Sequence, residues 1–144
     1  MTPFEQYRTF LLNEHDPAVE SLRDLTLALH NSHAYQWRAR DLSDYDSNHL
    51  EVAWQLMASF QRHGDEDPSF REIAAEIVVQ RRRALEQAIA TVKQDAVRVR
   101  EAIATLSAQA EKHDGNELLA ERNRELLELE TELGIMNERL EKLV

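Results

Sequence analysis

The chain has 144 residues, a formal net charge of −10 and no cysteine. This length suits one domain with its own core, and the lack of cysteine excludes disulfide scaffolds, thiol catalysis and thiolate metal sites. No apolar run approaches the roughly 20 residues of a membrane span, and the first residues lack the pattern of a signal peptide. We therefore expect a cytoplasmic protein with no membrane partner.

Every aromatic residue lies in the first half of the chain, between Phe4 and Phe70. The rest of the sequence is a long run of aliphatic and charged residues without proline. This division predicts an all-α protein in which residues 1–67 form an acidic, aromatic-rich helical head. Residues 68–144 would form a long helix and a C-terminal helix, folded as a coiled-coil hairpin that is one cooperative unit with the head.

Three helix starts share one pattern, a capping residue followed by proline: Thr2-Pro3, Asp16-Pro17 and Asp67-Pro68. Apolar residues recur at helical intervals after the first two starts and again before the third. We predict helices over 3–12, 17–31, 48–63 and 68–112. The aromatic residues of the first and third helices, Trp54 among them, are predicted to be core.

The hairpin prediction rests on two apolar seams with alternating spacings of three and four residues. The first seam is Leu85, Ile89, Val92, Ala96, Val99, Ile103, Leu106 and Ala110; the second is Leu119, Arg122, Leu126, Leu129, Leu133, Met136, Leu140 and Leu143. If the helices are antiparallel, facing residue numbers add to 232, as Ile103 and Leu129 do. The midpoint, residue 116, falls in a predicted turn over 113–116.

A weaker second stripe runs beside these seams and predicts self-association. It contains Ala90, Val97 and Ala104 on the long helix and Ala120, Leu127 and Gly134 on the last one. Glycine inside a helix costs about 1 kcal/mol relative to alanine, so Gly134 indicates either close approach of another helix or a tolerated neutral residue. From Val97, Ala104, Leu127 and Gly134 we predict a homodimer.

Metal and cofactor chemistry is weakly indicated. His30 and His33 have a spacing that suits two metal ligands on one helix face, yet histidine is also favoured at a helix C-terminus by the dipole. The segment from Asp44 to Asn48 resembles the start of a calcium loop but has His49 where glycine is required. We expect no cofactor, no metal and no enzymatic activity, with a metal-dependent activity at the histidines as the alternative.

Three groups of residues are candidates for contacts with a protein partner. Tyr35, Trp37, Arg38 and Arg40 combine the residue types that dominate protein interfaces, although packing of this segment over the head explains them as well. Asp41, Asp44 and Asp46 lie in an acidic loop. Arg81, Arg82 and Arg83 form a basic cluster that faces the head, the chain end, a second subunit or solvent.

The charge distribution disfavours direct binding of nucleic acid. Residues 1–67 hold 5 basic and 12 acidic groups, a net charge of −7, which repels phosphate. We predict a protein–protein interaction module, that is, an adaptor, assembly subunit or regulator that acts through helix faces. The alternative is an acidic inhibitor or antitoxin-like protein whose head blocks a basic surface of its target, such as one that binds nucleic acid.

Overall fold

The computed structural model describes residues 1–110 and 116–143, and within these ranges the fold is all-α, as predicted. The helices are α1 Pro3–Gln6, α2 Arg8–Asn13, α3 Pro17–His30, α4 Ser47–His63, α5 Pro68–Ala110 and α6 Asn116–Lys142. Two short 3-10 helices, Ala39–Asp44 and Gly64–Glu66, flank α4. None of the helices in the described ranges is both long and apolar enough to span a bilayer.

The three predicted cap-and-proline starts are confirmed. Thr2 and Glu5 form a reciprocal capping box at α1, and the Asp16 carboxylate accepts a 3.0 Å hydrogen bond from the backbone of Val19 at α3. At the start of α5, Asp67 Oδ1 accepts hydrogen bonds from the backbone N–H groups of Ser69 and Phe70, at 2.9 and 3.4 Å. Each carboxylate or hydroxyl satisfies amides that the first helical turn leaves without partners.

The first predicted helix differs from the structure because it is interrupted at Tyr7. The backbone of this residue, with φ −98° and ψ 9°, leaves the helical region and separates α1 from α2. The Tyr7 hydroxyl donates a 3.0 Å hydrogen bond to Gln55 Oε1 on α4. A contact with a residue 48 positions away is not visible in the local periodicity of the sequence.

The described chain divides into two compact units, Met1–Gln80 and Arg81–Leu143. The N-terminal unit has a core of aliphatic and aromatic side chains from α1 to α4 and from the first part of α5. Phe70 lies at its centre, with its ring centroid 4.8 Å from that of Phe4 and 5.1 Å from that of Phe60. The larger of its fully buried side chains include Phe4, Leu11, Leu22, Leu27, Val52, Leu56, Phe70, Ile73 and Ile77.

One cation, Arg23, is buried in this unit with 5% of its surface exposed. Its Nε donates to the carbonyl of Leu11 at 2.6 Å and its Nη2 to the carbonyl of Glu14 at 2.9 Å, while Nη1 pairs with Glu20. The guanidinium therefore satisfies carbonyl groups at the end of α2, where the helix provides no donors. A buried charge is tolerated here because it is both paired and hydrogen-bonded.

In the C-terminal unit, α5 packs against α6. Ile89, Val92 and Met136 form a buried cluster, and the side chains that pack around it are Leu85, Leu129, Leu133 and Leu140. Every residue of the two predicted seams whose burial is described is buried or half-buried. The predicted turn over 113–116 lies outside the described residues except for Asn116, the first residue of α6.

The prediction that Trp54 is a core residue is wrong, because 63% of its surface is exposed. The buried side of α4 is formed by Val52, Ala53, Leu56 and Ser59. At 100° per residue, Trp54 lies on the opposite side of the helix from Val52 and Ser59. Apolar residues surround more of α4 than the core can cover.

Candidate functional site

The aromatic segment after α3 is tied to that helix through Ser21. Trp37 Nε1 donates hydrogen bonds to Ser21 Oγ at 3.2 Å and to the Tyr45 hydroxyl at 3.4 Å. The Tyr45 hydroxyl donates to Ser21 Oγ at 2.7 Å, and Ser21 donates to Asp41 Oδ2 at 3.3 Å. Tyr35 and Trp37 are half-buried against the core, so these candidate contact residues also hold the segment in place.

The neighbouring basic candidates remain on the surface. Arg38 immediately precedes the 3-10 helix Ala39–Asp44, and Arg40 lies in its first turn. Both residues are exposed. The structure therefore separates the four candidates of this segment into two half-buried aromatic side chains and two exposed guanidinium groups.

Two of the three acidic candidates, Asp41 and Asp44, line a surface depression of about 290 Å³ against α3. Glu20 and Asp24 from α3 line the same depression, so four carboxylates surround it. Glu20 pairs with Arg23, and Asp41 accepts the hydrogen bond from Ser21. The depression concentrates part of the negative charge of residues 1–67.

Asp46 has a different role, because it caps α4. Its Oδ1 accepts a 2.8 Å hydrogen bond from the backbone N–H of His49 and lies 2.7 Å from His49 Nδ1. The backbone hydrogen bond is the main cause that lowers the pKa of the Asp46 carboxyl below its ordinary value, and the His49 side chain contributes in the same direction. The resemblance to a calcium loop is thus explained by a capped helix.

The two histidines of the weak metal hypothesis do not share a helix face. α3 ends at His30, whose ring lies 5.9 Å from that of Phe70 in an edge-on arrangement. His33 follows in a turn, and its backbone N–H donates to Asn31 Oδ1 at 3.2 Å. In the described parts of the chain, no three histidine or acidic side chains come together in a way that suits a metal ion.

The basic cluster lies where the C-terminal unit begins. Arg82 Nη2 donates a 2.6 Å hydrogen bond to the carbonyl of Leu143, just beyond α6. Arg81 is half-buried, whereas Arg83 is exposed. At least one of the three cations thus binds a carbonyl group at the C-terminal end of α6, where a positive charge is favoured by the helix dipole.

The second stripe of the C-terminal unit is exposed on both helices. Val97 exposes 49% of its surface and Leu127 63%, and Ala104 and Gly134 are also exposed. Arg100 and Glu130, which follow the stripe at helical spacing on α5 and α6, are joined by a 2.9 Å salt bridge. A Cβ atom built on Gly134 would meet no atom within 4 Å, so the packing of the described chain does not require glycine here.

Two exposed apolar surfaces were missed by the sequence analysis. One is formed by Leu50 and Trp54 on α4. The other is a groove along α6 that includes Ile135, which is 46% exposed, and it is lined by Leu127, Glu128, Thr131, Glu132, Ile135, Met136 and Arg139. Helix periodicity contained the signal for both, since Ile135 and Trp54 lie outside the angular range of the buried residues of their helices.

Comparisons of the chain with protein-family models, with curated proteins and with solved structures find no match. The residues and their geometry are therefore the basis for a functional hypothesis.

Proposed function

We propose that this chain is a non-enzymatic protein–protein interaction module, acting as an adaptor, assembly subunit or regulator through contacts of its helix faces. The observation that carries the proposal is the second stripe of the C-terminal unit. Val97 and Ala104 on α5, and Leu127 and Gly134 on α6, recur at seven-residue intervals and are exposed. Single apolar residues on a surface mean little, but a repeated stripe on two packed helices is typical of an interface.

The framework of this surface is an antiparallel coiled-coil hairpin of α5 and α6, with facing residue numbers that add to 225, one heptad from the predicted sum of 232. The buried cluster of Ile89, Val92 and Met136 supports this register, because Ile89 would face Met136 and Val92 would face Leu133. The hydrogen bond from Arg82 to the carbonyl of Leu143 supports it as well. A hairpin of about 27 residues per helix is about 40 Å long, which gives the stripe room for an extended contact.

The partner that this stripe fits is a second copy of the chain. Glycine in the interior of α6 costs about 1 kcal/mol relative to alanine, and no neighbour within the described chain requires it. Close approach of a helix from another molecule explains why position 134 carries glycine, because a larger side chain there would keep the two helices apart. Twofold dimers are the commonest assemblies of soluble proteins, and the same stripe then serves both subunits.

Light scattering at several concentrations tests the proposal of self-association. We expect twice the mass of one 16.7 kDa chain at micromolar concentration. Affinity capture followed by mass spectrometry then tests for other protein partners. A mass of one chain at all accessible concentrations would refute the homodimer.

A second candidate function is that of an acidic inhibitor, or antitoxin-like protein, that covers a basic surface of its target. It is favoured by the depression lined by Asp41, Asp44, Glu20 and Asp24. Binding of this kind weakens steeply with salt, whereas apolar packing of helices does not. Capture at about 50 mM and about 500 mM salt distinguishes the two, because only targets of the acidic surface are lost at the higher concentration.

A further inference from the structure

The two helices of the C-terminal unit carry opposite charge. The part of α5 in this unit, residues 81–110, has six basic and three acidic side chains, a net charge of +3. α6 has four basic and eight acidic side chains, a net charge of −4. Beside the stripe, α5 has Lys93, Arg98 and Arg100 against Glu101, and α6 has Glu128, Glu130 and Glu138 against Arg124. The part of the stripe face formed by α5 is therefore net positive, and the part formed by α6 is net negative.

Two hairpins that meet through the same face have two symmetric arrangements, because the twofold axis lies in the plane of contact. With the axis parallel to the helices, α5 of one copy lies on α6 of the other. With the axis perpendicular to the helices, α5 lies on α5 and α6 on α6. The second arrangement places like charges together, which is unfavourable, and the first places opposite charges together.

The contacts of α5 with α6 determine which residues of the stripe lie at the same level. Arg82 with Leu143 and Ile89 with Met136 are in contact and both pairs add to 225, so Val97 is level with Leu127 and Ala90 is level with Gly134, since these pairs add to 224. When the axis is parallel to the helices, residues keep their level. Val97 of one copy then lies over Leu127 of the second copy, and Ala90 lies over Gly134.

We propose that a second copy of the chain binds this stripe with α5 of each copy on α6 of the other, in a four-helix arrangement whose twofold axis is parallel to the helices. The inference rests on the proposed self-association and specifies its geometry. A two-helix face about 40 Å long and about 20 Å wide offers about 800 Å² per partner, the usual size of a stable interface.

Single cysteines test the geometry, because the natural chain has none. Val97→Cys chains are mixed with affinity-tagged Leu127→Cys chains in equal amounts, allowed to exchange subunits and oxidised mildly. A disulfide requires Cα atoms about 4.4–6.8 Å apart, so only residues that face each other across the interface are linked. Ala90→Cys mixed with Gly134→Cys is a second, independent pair, and circular dichroism verifies that all variants are helical.

We expect the mixed disulfide to exceed by at least about tenfold the dimer that Val97→Cys forms alone, in at least one of the two mixtures. A dimer by light scattering in which Val97→Cys links to itself, or in which neither mixture links, overturns this arrangement and leaves self-association standing. A mass of one chain for the natural protein overturns self-association and this arrangement together. The two failures are thus distinguishable.

Discussion

Arg100 on α5 donates a 2.9 Å hydrogen bond to the carboxylate of Glu130 on α6. Both side chains are about half exposed, so this ion pair contributes at most about 1 kcal/mol to stability. The ion pair mainly shows that α5 and α6 lie side by side at this point, since it joins residues 30 positions apart in the sequence. The stability of the helix pair comes instead from the apolar side chains between α5 and α6.

Leu129→Asp is expected to destabilise the C-terminal unit by about 3 kcal/mol, because it places a carboxylate without a partner among the apolar side chains of α5 and α6. Chemical denaturation followed by circular dichroism measures the effect. Ile135→Asp on the exposed groove of the same helix is the matched control, with an expected change below about 1 kcal/mol. Equal effects of the two substitutions would show that Leu129 does not belong to the seam.

Gly134→Leu is expected to raise the dissociation constant of the homodimer at least about tenfold, because the larger side chain keeps the partner helix at a distance. Within one chain nothing opposes the substitution, since a Cβ meets no atom within 4 Å. Helical content should be unchanged or higher, because leucine is a better helix former than glycine. Sedimentation equilibrium measures the constant.

Glu121→Leu is the control for this experiment, since it adds the same side chain to α6 outside the stripe. An unchanged dissociation constant is expected. If both variants weaken association equally, or neither does, Gly134 is not part of the interface.

Trp37→Phe is expected to lower the free energy of unfolding by about 1 kcal/mol, because it removes the indole donor that binds Ser21 and Tyr45. Trp54→Phe is the matched control, and its exposed position predicts a change within about 0.5 kcal/mol. The remaining tryptophan in each variant reports the environment by acrylamide quenching of its fluorescence. Greater quenching of Trp37 than of Trp54 would contradict the structure.

Asp46→Asn is expected to destabilise the protein near neutral pH and to have a smaller effect in acid. The pKa of Asp46 is lowered in the folded chain, so its charge stabilises the fold above the pKa of the unfolded state. This contribution is lost as the pH falls through the folded pKa. Denaturation of both proteins between about pH 2 and about pH 6 measures the difference, and a difference that does not change with pH would show that the charge of Asp46 is not its cause.

Local signals in the sequence predicted much of this fold. The capping roles of Thr2, Asp16 and Asp67 depend on neighbours within three residues, so the sequence contains all that determines them. The burial of seam residues on α5 and α6 follows from their spacing. These features are local or periodic, which is why they were predicted with nearly correct bounds.

Contacts between distant residues could not be predicted in the same way. The hydrogen bond of Trp37 with Ser21 joins residues 16 positions apart, and that of Tyr7 with Gln55 joins residues 48 positions apart. Trp54 shows a related difficulty, because its residue type suggests burial whereas its position on α4 determines exposure. Among the candidate site residues, periodicity located the stripe containing Val97 and Leu127 but contained no information on the segment that includes Trp37.

Because of the hydrogen bonds that Arg23 makes, the positions around the end of α2 differ in how well they tolerate substitution. The acceptors at Leu11 and Glu14 are main-chain carbonyls, which every amino acid possesses, so substitution at those positions retains them as acceptors. The donor side depends on a single side chain, and lysine cannot replace its planar group of several N–H donors. A library of random variants should therefore accept many residues at position 14 and almost exclusively arginine at position 23.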